Sequence, residues 1–127
     1  MSAATRIGIW SPCMKSDAER LSDILTAAEA AVRFARPRSR LRTDDDVLLA
    51  ALTYQLIIIG EASRAISDEA RAKFPALPWH QMVGMRNSVI HAYWSVASEN
   101  VWGTVEIDLP GLIAQLRALD LATTETD

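Results

Sequence analysis

At 127 residues, half of them hydrophobic, with five glycines and five prolines, the chain suits one globular domain and excludes both a disordered polypeptide and a pair of ordinary domains. A net charge of −3 gives no global attraction for nucleic acid, so any such binding must come from local patches. The lone cysteine, Cys13, excludes an internal disulfide and a cysteine zinc site and fits a reducing cytoplasm.

Residues 1–15 lack periodicity and have no apolar run of the kind a secretory signal needs, which predicts a loose tail. Ser16-Asp17-Ala18-Glu19 has the capping-box pattern and opens a helix that runs to about Arg36, where Pro37 stops it. Leu21, Ile24, Leu25, Ala28, Val32 and Ala35 supply its buried stripe. Around the following connection stand Arg33, Arg36, Arg38, Arg40 and Arg42, which either track an RNA backbone or form a solvated helix connection offset by the aspartates after them. Thr43 before Asp44, Asp45 and Asp46 is the second start signal, since carboxylates favour the positive end of a helix dipole.

That second helix is expected to run to about Ser67. It is apolar nearly all round from Val47 to Ile59, which marks a central element covered on more than one side. Its apolar run contains Thr53, Tyr54 and Gln55 and is read as too short for a bilayer span, so no membrane role is expected. Gly60 permits close helix approach, and Glu61 is a carboxylate near a buried stretch that needs a partner. Pro75 and Pro78 break the chain, with Pro78 at the first position of a third helix over 78–92. Ser98 is a candidate cap for a short helix to about Val105, and Asp108 with Pro110 can start a last one to about Leu121. One kinked helix over 98–121 is the alternative. No strand alternation is present, so the expected fold is all-α, a bundle of four to five helices over 16–121 with a frayed tail at 122–127.

Most of the potential chemistry lies between Arg86 and Tyr93, which reads Arg-Asn-Ser-Val-Ile-His-Ala-Tyr. At about 100° per residue, Trp79, Met82, Val83, Met85, Val89, Ile90 and Tyr93 share one helix face, and Arg86 falls within it. Arginine keeps its charge, so it must be paired, snorkel to water, or meet another subunit or an anion at a seam. The opposite face carries His80, Gly84, Asn87 and His91 as one polar stripe with a gap.

With Ile59-Gly60-Glu61-Ala62, Pro78-Trp79, Met85-Arg86-Asn87 and Asp108-Leu109-Pro110 in order, and Arg-x4-His-x-Tyr intact as Arg86, His91 and Tyr93, the chain resembles the HepT-like branch of the HEPN family over roughly residues 17–120. The resemblance implies a toxin of a bacterial toxin–antitoxin pair: a homodimeric, metal-independent ribonuclease whose paired motifs face each other across the subunit interface. It also implies an MntA-like minimal nucleotidyltransferase antitoxin that transfers AMP to Tyr93. The rival is a non-catalytic helical adaptor in which the same motif forms the dimer seam and docks that transferase.

RNA cleavage without metal needs a base, an acid and positive charge on the phosphorane. His91 titrates near neutrality and suits either proton-transfer role, and Arg86 suits the scissile phosphate. On one helix the two lie about 140° apart, which favours a site completed by a second copy. Arg86 can equally pair with Glu61. Asn87 either orients the imidazole or a ribose hydroxyl, or is plain surface polarity. Tyr93 either presents its hydroxyl for modification or is a core ring. His80 has no acidic companion at ligand spacing, so neither a metal site nor a cofactor is expected, and Trp79, Trp94 and Trp102 are read as core and interface anchors.

Overall fold

The fold is described from a computed structural model over residues 15–36, 46–90 and 94–119. Among these residues all regular elements are helical: α1 (Asp17–Ala35), α2 (Asp46–Ala65), α3 (Asp68–Lys73), α4 (Trp79–Ile90), α5 (Trp94–Gly103), a π-helical turn (Thr104–Asp108) and α6 (Leu109–Ala118). The π turn joins α5 and α6 end to end, so the described bundle has five rods, within the four to five expected, although α3 is a separate rod that the sequence reading does not place.

α1 starts as its capping box dictates. Glu19 N donates to Ser16 Oγ at 3.0 Å and Ser16 N donates to Glu19 Oε1 at 2.8 Å, satisfying two amides that the helix itself cannot. Those bonds from Ser16 hold the Glu19 carboxyl below its ordinary range. The buried face carries Leu21 and Ile24 and then Ala27, Ala28, Ala31 and Ala35, small residues that let α2 lie close along most of its length. Lys15, placed by the sequence in the tail, is tied to α1: its Nζ donates to Asp23 at 2.5 Å and its carbonyl accepts from Arg20.

α2 is the central rod, packed on α1 and α4. Leu49, Leu52, Leu56 and Ile59 are buried at steps of three and four, the period of one helical face. Reading the segment as too short for a bilayer needs correction. The helix continues past Gly60 to Ala65, and of its 20 residues an 18-residue window, with a mean hydropathy of 1.4, meets the minimum length and apolarity of a membrane span. Its leucine and isoleucine stripe lies in the core of the bundle. The proposed Thr43 cap is outside the described residues.

Ser67 does not close α2; it caps the separate helix α3, its Oγ accepting from Ala70 N at 3.1 Å. Asp17 on α1 accepts from both Ser67 Oγ (2.6 Å) and Ser67 N (3.0 Å). Burial opposes ionisation of that carboxyl, but the Ser67 bonds, with Arg20 and Lys73 nearby, outweigh it and hold Asp17 below its ordinary value. Arg71 Nη2 donates to the Ser63 carbonyl at 3.0 Å, a cation on the negative end of α2, and its guanidinium lies 5.6 Å from the Trp79 ring centroid.

α4 begins one residue later than expected: Met82 N donates to the Pro78 carbonyl at 2.9 Å, so Pro78 precedes the helix rather than opening it. Ser98 lies inside α5, which starts at Trp94, and caps nothing. The single kinked helix is the better of the two readings. Val101, Val105 and Leu109, all buried, recur every four residues, and a straight α-helix would rotate such a row by about 40° per step. The wider π turn, closed by Leu109 N–H on the Thr104 carbonyl, keeps the row against the core. Asp108 has helical backbone angles and makes no capping hydrogen bond. α6 ends at Ala118, short of Leu121, and is fixed to α1 by Arg117 Nη2 on Glu29 Oε2 at 2.5 Å.

Candidate active site

The site is built at the crossing of α2 and α4. A Cβ on Gly60 would stand 2.8 Å from both the backbone N and the Cβ of Arg86, closer than real atoms allow, so only glycine lets α4 cross α2 at this height. The next α2 residue then meets the arginine: Arg86 Nε and Glu61 Oε2 are 2.5 Å apart. Arg86 Nη1 also donates to Asn87 Oδ1 at 3.3 Å. The Arg86 side chain is 33% exposed and that of Glu61 50%, so the pair adds at most about 1 kcal/mol to stability. What it does is aim. A planar cation with five donors is held by one carboxylate and one amide, leaving donors without a protein partner among the described residues.

Of the two readings of Arg86, the ion pair with Glu61 is therefore present, and it leaves the guanidinium at the edge of the apolar face. Met82, Met85 and Val89 are buried on that face, and Trp79 packs against the core with its Nε1 donating to the Phe74 carbonyl at 2.9 Å. On the polar stripe His80 and Asn87 are exposed, and a Cβ on Gly84 would meet nothing within 4 Å. The structure thus brings Arg86, Glu61 and Asn87 together. His91 and Tyr93 lie outside the described residues, as do Arg38, Arg40 and Arg42 of the basic connection. Trp102 is buried in the core, in keeping with its reading as an anchor. Among the described residues no group of three His, Cys, Asp or Glu side chains is arranged to hold a metal ion.

One residue next to the site was not singled out from sequence. Asn100 on α5 donates from Nδ2 to the Ser88 carbonyl at 3.0 Å, tying α5 to the last described turn of α4. Only the packing of α5 on α4 says which residue meets that carbonyl.

The outer face of α2 leads into the same place. Val47 and Tyr54 are 82% and 61% exposed, and with Glu61 they recur every seven residues, along one side of the helix.

The family model described as "Ribonuclease HepT-like" matches residues 24–119. Among curated proteins, "Putative RNase MJ1380" of Methanocaldococcus jannaschii is 37% identical over 91 residues, covering 71% of this chain and 84% of that protein. "Probable ribonuclease HepT" of Thermococcus cleftensis is 39% identical over 69 residues, 54% of this chain and 63% of that protein. No solved structure gives a significant match.

Proposed function

The chain belongs to the HepT-like ribonuclease family, and from that premise we propose that it is the toxin of a toxin–antitoxin pair, cutting RNA with Arg86 and His91 in a cleft between two copies. The observation that carries the reading is the aimed guanidinium of Arg86, held by Glu61 and Asn87 with donors left over among the described residues. In the proposed reaction, an imidazole of His91 takes the proton from a ribose 2′-hydroxyl, the 2′-oxygen attacks phosphorus, and the P–O5′ bond breaks. A second imidazole, from the other copy, protonates the departing 5′-oxygen. Arg86 carries the phosphorane charge, and Asn87 orients the imidazole or the ribose. No step needs a metal, and the reaction belongs in the cytoplasm, where RNA is available. The working unit is the bundle over 16–121, within which the family match lies.

The second copy is supported by the outer face of α2. Val47 and Tyr54 present apolar surface to solvent in the single chain, and a two-fold axis there would set two Glu61–Arg86 pairs side by side. Light scattering at micromolar concentration should give a dimer. A fully active monomer would contradict the shared cleft.

Silencing is proposed to act through Tyr93, modified by a minimal nucleotidyltransferase antitoxin. AMP joined to the phenol would fill the cleft and offer its phosphate to Arg86 in place of RNA. Coexpression with that enzyme should add the mass of AMP to wild type and inhibit it, whereas Tyr93→Phe should escape both and still cleave. A modified Tyr93→Phe protein, or a modified wild type of full activity, would overturn this route.

A further inference from the structure

On the side of α4 that faces away from Arg86 lies a groove that the reaction does not use. It runs between the exposed side of α4 and the π turn, has a volume of about 270 Å³, and is lined by His80, Gln81, Gly84, Ser88, Thr104 and Asp108, with Met85 as apolar floor. The π turn brings Thr104 and Asp108 onto it together. Neither these two nor His80 and Gln81 make a side-chain hydrogen bond or ion pair among the described residues. Asp108 stands where a helix cap is expected and does not cap. Gly84 contributes open space, since a Cβ there would touch nothing within 4 Å.

We propose that this groove is a nucleobase subsite that selects guanine in the RNA substrate. The proposal rests on the ribonuclease reading given above. Among the described residues the lining includes no lysine or arginine, and the Asp108 carboxylate repels phosphate, so the backbone must pass outside while a base enters. Single-stranded RNA is read this way, through the edges of unstacked bases. A carboxylate accepts two hydrogen bonds side by side, and guanine is the base whose Watson–Crick edge offers adjacent donors, N1–H and N2–H. Gln81 and Thr104 can serve the remaining polar atoms, the His80 ring can lie on the base at the rim, and the Met85 sulfur suits an aromatic face below.

The test is binding of uncleavable 2′-O-methyl RNA pentamers that differ only in the central base, by the full chain and by Asp108→Asn and Gly84→Leu. Wild type should bind the guanine pentamer about tenfold more tightly than the adenine pentamer, the discrimination of one paired contact to a base edge. Both variants should bring that ratio near one. Gly84→Leu places its side chain in empty space and removes a helix-interior glycine, so its melting temperature should not fall. Equal wild-type affinity for all four pentamers overturns the subsite, and a preference kept by both variants overturns its location. Cleavage of unmodified RNA, assayed alongside, separates the two readings: cleavage without base preference counts against the subsite alone, and preference without cleavage counts against the ribonuclease reading alone.

Discussion

Gly60→Ala is expected to destabilise the protein and to displace Arg86. In most helix interiors this exchange stabilises, by roughly 0.5–1 kcal/mol, because glycine loses more backbone freedom on folding. Here the added Cβ meets Arg86 N and Cβ at 2.8 Å. Those atoms belong to the main chain and its first side-chain carbon, so they cannot swing aside as the end of a flexible side chain would, and α2 and α4 must separate. Overpacking of this kind costs about 1–3 kcal/mol, which lowers the melting temperature of a chain this size by several degrees. The separation also pulls Arg86 from Glu61, so cleavage should fall further than stability alone explains. Chemical denaturation checks the first effect and the rate the second. A variant at least as stable as wild type would contradict the close crossing.

That crossing was partly legible in the sequence. Gly60 reads as a place of close approach and Glu61 as a carboxylate in want of a partner, and the partner is Arg86. What the sequence could not supply is that the same arginine's backbone fills the gap left by the glycine, because this depends on how two rods cross. The capping box at Ser16 and Glu19 was legible because it is wholly local. Ser67 and Ser98 were not, since a serine before a polar turn of helix caps whichever segment the packing allows to start. Ser67 opens α3 and is held there by Asp17 from fifty residues away, whereas Ser98 is absorbed into a helix already under way at Trp94. The π turn was visible only as an ambiguity between two helices and one, and the core decides it by holding Val101, Val105 and Leu109 in line. The polar stripe of α4 was legible as a face, but its opposing wall, Thr104 and Asp108, comes from the π turn and could not be foreseen from periodicity.

The largest functional effect is expected at the motif itself. Arg86→Ala removes the cation proposed to carry the phosphorane charge, and His91→Ala the group proposed to move the proton. Each is expected to lower the rate by about 10²–10⁴. Arg86→Ala should leave the fold nearly as stable as before, because the Arg86–Glu61 pair is partly exposed and Glu61 is left half in water rather than buried without a partner. The pairing also bears on substrate binding: RNA phosphate and the Glu61 carboxylate compete for one guanidinium, so Glu61→Gln should ease phosphate binding rather than abolish cleavage.

The most direct measurement is cleavage of a labelled RNA by the purified full chain in EDTA, with Arg86→Ala and His91→Ala run beside it and their melting temperatures recorded. Wild type should cut without any divalent ion and leave 2′,3′-cyclic phosphate ends, while both variants, melting close to wild type, should lose the activity by the factors given above. Folded variants that cut as fast as wild type, or a wild type that cuts only when a divalent ion is restored, would contradict the account.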